Sequence, residues 1–219
     1  MKSGIVMLVA TGALLAGSAP AGRAGAFFDF YGYSYLDGAP FQVGTSTTIP
    51  MRFDPTQPDP VFPLDLEGNK YTVLVEGLEI VDVQAAGPIR VVTYANGSIQ
   101  IFEDPSKNSE WTPTPPNLEV PGSFVDGALI LSGVFTDCVL IFNTQAMTGT
   151  VQGHVDLSGG ERFGEIAQPD GWLFFGGTTT DPHGNIPSGY DMAWDPQLTA
   201  PEAVATRSIS WGAIKSLYR

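Results

Sequence analysis

Asn96-Gly97 stands between Arg90-Val-Val-Thr-Tyr-Ala95 and Ser98-Ile-Gln-Ile-Phe-Glu103, two runs rich in β-branched and aromatic residues. An Asn-Gly pair in that setting predicts a type I′ hairpin, because both central residues of the turn need positive φ. A two-residue loop would pair Tyr94 with Ile99, Val92 with Ile101 and Arg90 with Glu103. A slip of one residue would put Gln100 where Ile101 belongs, so burial of one face would hold the register. The chain therefore reads as a β protein.

The remaining sequence repeats that grammar. Phe27–Tyr35, Thr45–Phe53, Tyr71–Glu76, Leu78–Val83, Ala128–Phe135, Asp137–Asn143, Thr148–Ser158, Trp172–Phe175 and Tyr190–Trp194 are strand-like runs bounded by turn residues. Gly77 marks a bulge in one bent strand or a turn between two. The Thr148–Ser158 run alternates cleanly, with Val151, Gly153, Val155 and Leu157 inward and Gln152, His154, Asp156 and Ser158 outward. No long segment of helical period precedes the C-terminal tail. With 26 Gly, 18 Pro and a hydrophobic fraction of 43%, the expectation is an all-β fold. It takes the form of an antiparallel β-sandwich, jelly-roll-like, over residues 27–195, with a barrel as the alternative.

Residues 1–26 read as a cleaved signal peptide: Lys2, the apolar run Ile5–Ala16, and the small-residue site Ala24-Gly25-Ala26. The apolar run is too short to span a bilayer, and no second long one follows, so the mature chain is expected to be secreted and not membrane-spanning. The formal net charge is −13, from 10 Lys and Arg against 23 Asp and Glu. Lys2 and Arg23 leave with the signal peptide, which makes the mature chain more acidic still. Such a surface repels phosphate backbones and argues against a nucleic-acid partner. Cys138 is the one cysteine, so no intrachain disulfide forms; it reads as a small buried hydrophobe.

No motif supplies catalysis: His154 and His183 lack zinc-site spacing, and there is no G-x-S-x-G elbow or P-loop. His154 and Asp156 share the polar face of one strand and read as a surface pair. The candidate ligand contacts are aromatic. Tyr31, Tyr33, Trp111, Trp172 and Trp194 could stack on a sugar, against the alternative that they pack a core. Asp104, Asn108 and Glu110, in Asp-Pro-Ser-Lys-Asn-Ser-Glu, have the alternating oxygens of a calcium loop. The run departs from the EF-hand pattern, with Ser109 in place of the turn glycine and Pro115 in place of the bidentate Glu.

Residues 196–206 read as a linker and 207–219 as a basic amphipathic tail. Arg207, Trp211, Lys215 and Arg219 are the candidate sorting or docking residues there. Pro201-Glu202 resembles the opening of the PEP-CTERM sorting tail of bacterial exported proteins, but the apolar helix of roughly 20 residues that a span requires does not follow. The first functional expectation is a secreted, non-enzymatic surface or matrix protein with a structural or interaction role. The second is a carbohydrate-binding module, calcium-assisted, with a polysaccharide or cell-surface partner. The third is a secreted glycosidase or lyase.

Overall fold

The computed structural model describes residues 27–54, 61–111, 121–180 and 186–201. Its eight strands are β1 (Phe27–Asp37), β2 (Ser46–Phe53), β3 (Lys70–Ala86), β4 (Ile89–Asp104), β5 (Ala128–Asn143), β6 (Thr148–Gly159), β7 (Trp172–Thr179) and β8 (Met192–Thr199). Each pairs antiparallel with the next, and β1 pairs with β8, which closes the sheet into a barrel. The expected sandwich is thereby corrected. The strands do not split into two facing sheets, because β1 bonds to a neighbour on both sides and leaves no free edge.

The Asn96-Gly97 hairpin is corrected as well. Both residues do have positive φ, 61° and 84°, but the chain does not reverse there. β4 runs straight through, with Leu78 opposite Asn96 and Glu76 opposite Ser98. The reversal is one connection earlier, at Gly87-Pro88 between the paired residues Ala86 and Ile89, where Gly87 has φ 60°. Asn96-Gly97 adds no extra residue to the wall: the register to β3 and to β5 is the same on both sides of it. It lies against Gly77, φ 73°, where β3 has one residue more than β2. A further irregularity falls on β5 between Phe135 and Asp137. The strands on either side of β4 thus bend within the wall, and such bends look like strand ends in the sequence.

Two prolines sit in the wall without breaking it. Pro196 faces Gly176 on β7, and the β1–β8 ladder has bonded pairs at Asp29–Gln197 and Gly32–Trp194 but none between them. β8 consequently runs on to Thr199, past Asp195 and into the segment that reads as a linker. Pro50 does the same on β2, where the ladder to β1 is open between Gly32–Met51 and Tyr35–Thr48.

The bore is solid. Phe28, Phe30, Ile49, Met51, Val73, Val75, Leu78, Ile99, Leu140, Val151, Val155, Phe174 and Leu198 are fully buried in one cluster. Complete burial of such side chains contributes roughly 1.5–3 kcal/mol each. At one end Trp172 stacks on Phe28 (centroids 6.2 Å apart, planes at 15°), and Phe62 seals that mouth beneath the guanidinium of Arg162, 3.7 Å from its ring. At the other end Phe41 packs on Phe142, centroids 5.2 Å apart. β6 obeys its alternation: Val151, Gly153, Val155 and Leu157 are buried, while Gln152, His154, Asp156 and Ser158 face out.

On β3 the alternation fails. Tyr71 through Val75 are all buried, because the segment 121–127 that precedes β5 lies over the outer wall there. Phe124, fully buried, anchors it, and its carbonyl accepts a 2.8 Å hydrogen bond from Thr72 Oγ1. Leu74, Phe102 and Phe124 form a second, outer layer of buried side chains apart from the bore.

Candidate functional site

Alternation along β1 puts Tyr31, Tyr33 and Tyr35 on the outer wall. Trp111, on the way into the covering segment, lies over the first two, with ring centroids 5.5 Å from Tyr31 and 5.0 Å from Tyr33. The planes cross at 53° and 86°, so the rings pack on one another rather than forming a flat shared platform. Tyr190 continues the row, 5.8 Å from Tyr33 and 6.2 Å from Tyr35.

Arg52 of β2 is the direct ladder partner of Tyr31. Its guanidinium sits 4.1 Å from the centroid of the Trp111 ring and 5.7 Å from that of Phe124, a cation–π stack in a partly dry setting. Arg52 Nη2 is 3.1 Å from Glu110 Oε2, at an angle outside hydrogen-bond geometry, so the contact is a charge pairing. Lys70 Nζ donates to Glu110 Oε1 at 2.8 Å. The Lys70 hydrogen bond, ahead of the two positive charges, holds the Glu110 carboxyl below its ordinary range.

Beside this cluster a cleft of about 200 Å³ opens, lined by Tyr31, Arg52, Leu66, Asn69, Lys70 and Tyr71. Its polar groups are held in place by Glu103. Asn69 Nδ2 donates to Glu103 Oε1, and so does Tyr71 OH at 3.1 Å, while Tyr71 OH accepts from the Asp65 amide at 3.0 Å. Burial, above all, raises the Tyr71 hydroxyl pKa, so the phenol stays a donor across the physiological range. Tyr31 and Leu66 are the exposed apolar members, at 37% and 42%. A wider hollow of about 710 Å³ lies over Gly77 and Gly97, between Glu76, Asn96, Ser98 and Val134. It is an open trough lined by no cation, whereas aromatic, cationic and amide groups converge at the smaller cleft.

The five aromatic candidates are therefore divided. Tyr31, Tyr33 and Trp111 meet on the outer wall. Trp172 and Trp194, 2% and 3% exposed, are packed into the bore. Of the calcium candidates, Glu110 turns to Arg52 and Lys70, and Asn108 Nδ2 donates to Asp126 Oδ2 at 2.8 Å. Asp104 is buried, with Oδ1 accepting from the Ser106 amide at 2.7 Å and Oδ2 without a partner. Among the described residues no three His, Cys, Asp or Glu side chains come close enough to share a metal ion. Arg207, Trp211, Lys215 and Arg219 lie outside the described residues, as do His183 and residues 1–26, where the signal peptide is expected.

His154 pairs across the ladder with Asp137, Nδ1 to Oδ2 2.9 Å, rather than with Asp156 on its own strand. Asp156 instead accepts from the Gly171 amide at 2.8 Å. Asp29, on the outer face of β1, has its carboxyl pKa raised first by burial and further by Asp195 and Asp54. The sequence reading missed Arg52 and Lys70. Arg52 was legible as the outward residue between inward Met51 and Phe53, in a chain with few cations. Comparison of the chain with known protein families, curated proteins and solved structures finds no match.

Proposed function

We propose that this is an exported, non-enzymatic β-barrel that serves as a surface or matrix interaction component and meets its partner on the outer wall. The observation that carries this reading is the solid bore: aromatic and aliphatic side chains fill it and plug both mouths. The hollow between Phe41, Tyr94 and Trp194 at one end of the bore is about 40 Å³, room for a water molecule or two. A carrier that encloses its ligand needs a pocket several times larger. Recognition then falls to the wall, and Tyr31, Tyr33, Trp111, Arg52 and Lys70 make its densest cluster of aromatic and cationic groups. The wall is also the wrong way round for a bilayer. It carries Gln152, His154, Asp156, Asp195 and Gln197 at mid-strand, and exposed apolar residues such as Val134, Ile141 and Phe175 are interspersed among polar ones rather than forming a continuous band. No helix among the described residues is long and apolar enough to cross a membrane.

The second reading, carbohydrate binding, is favoured by one observation, the joining of Tyr31, Trp111 and Arg52 at the edge of an open cleft. The test of the main reading is retention of the mature chain, Phe27–Arg219, on a panel of extracellular polysaccharides and isolated cell envelopes. Turnover is assayed on the same panel. Saturable retention without turnover is the expected result; reproducible turnover of any substrate would overturn it.

A further inference from the structure

We infer that the cleft between Tyr31, Leu66, Asn69 and Lys70 is a binding site for one ring of a neutral saccharide. This deepens the interaction reading and rests on it. Size sets the first limit: at about 200 Å³ the cleft suits a single sugar ring. Its chemistry sets the second. Sugars present hydroxyls around the rim of the ring and C–H groups on its faces. Such a ligand asks for fixed polar side chains beside an exposed aromatic or aliphatic surface. Asn69 and Lys70 supply the polar side, and each is already held by a carboxylate, Asn69 by Glu103 and Lys70 by Glu110; the buried Tyr71 hydroxyl braces Glu103 from behind. Tyr31 and Leu66 supply the exposed apolar side.

Neutrality follows from the charges. Glu110 lies against both Arg52 and Lys70, and Glu103 is the carboxylate next to the cleft. Arg52 and Lys70 are thus matched by Glu110 and Glu103, and Arg162, which also faces Glu103, by its own pair with Glu165, within a chain of net charge −13. A uronate or sulfated sugar would meet no surplus positive charge and would approach against the field of the whole molecule. A neutral sugar gives up nothing to that field.

The experiment uses saturation-transfer NMR on the mature chain, with neutral methyl hexosides (gluco, galacto and manno) and the corresponding methyl uronates as probes. It is run on the wild type, Tyr31→Ala, Lys70→Ala and the distant wall variant Phe175→Ala, with thermal unfolding as the check on folding. At least one neutral hexoside is expected to bind, with about tenfold weaker binding in Tyr31→Ala. Phe175→Ala should bind as the wild type does. Uronates that bind more tightly than their neutral counterparts would overturn the proposal. So would neutral binding that folded Tyr31→Ala and Lys70→Ala both retain in full, or none to the wild type. Failure of the broader reading is separable. It shows as turnover, or as no retention on any polysaccharide or envelope. Failure of the cleft alone shows as retention that neither variant weakens.

Discussion

Adjacent glycines on β7 should respond to the same substitution with opposite signs. Gly176 faces β8, and a Cβ built there would lie 2.3 Å from the Asp195 carbonyl oxygen and 2.3 Å from Pro196 Cα. Ordinary contacts between such atoms begin near 3.4 Å, so alanine needs about 1 Å of additional separation between β7 and β8. An open sheet could yield at an edge. This barrel is closed, and the displacement must be shared with the β1–β8 seam or stored as strain. Overpacking costs about 1–3 kcal/mol, and the obstacle here is backbone, which places Gly176→Ala near the upper end. Stiffening of the unfolded chain returns about 0.4–1 kcal/mol, leaving a net loss of about 2–3 kcal/mol. For a chain this long that lowers Tm by roughly 4–12 °C. Gly177, one residue on, has no heavy atom within 4 Å of its built Cβ and no positive φ. Gly177→Ala should be neutral or stabilising by up to about 1 kcal/mol. Thermal and urea unfolding of both variants, followed by circular dichroism, decides the matter. Equal shifts in the two variants, or a neutral Gly176→Ala, would refute closure by tight strand approach at this seam.

Burial raises the Cys138 thiol pKa to about 12, with Asp137 adding to the effect. Iodoacetamide at pH 8 should therefore label the native chain at least about 100-fold more slowly than the chain in guanidinium, as read by mass spectrometry. Glu110 has a depressed folded pKa, so its contribution to stability is present above its ordinary value of 4.5 and is lost as the pH falls through the lower folded value. Glu110→Gln should flatten the stability profile in that acid window only. The effect should be small and should shrink in salt, since the side chain is 64% exposed. A bound calcium ion at 100 times its Kd would add about 2.7 kcal/mol. With Glu110 committed to Arg52 and Lys70, unfolding with excess calcium and with chelator is expected to give the same Tm; a rise of several degrees would make the unpartnered Asp104 oxygen part of a site.

Much of the local structure was legible because a half-buried strand imposes a period of two. Thr148–Ser158 announced β6 and both of its faces, and the aromatic run Phe27–Tyr35 announced β1. The errors have one physical source. Asn96-Gly97 carries the composition of a chain reversal, since a turn and a positive-φ step inside a strand look alike, and Gly77 left a bulge and a turn equally open. Nothing local distinguishes a strand that bends from one that ends. Each bend read as a break shortens and multiplies the strands, which turns one long meander into the many short strands of a sandwich. The site was half legible for a similar reason. Aromatic side chains are used both in cores and at contacts, so Trp172 and Trp194 could not be told from Trp111 before the fold assigned them to the bore.

By itself, the sequence determined that the chain is all-β, which face of β6 is apolar, and that Asn96-Gly97 requires positive φ. Those properties arise from side chains and backbone within a few residues of one another. Only the tertiary structure decided that β1 meets β8, that the bore is solid, and that Tyr31, Arg52, Lys70 and Trp111 stand together. These are contacts between residues far apart in the chain. They depend on how much each bulge and each close glycine turns the sheet, and eight such strands curl far enough for the first to bond to the last.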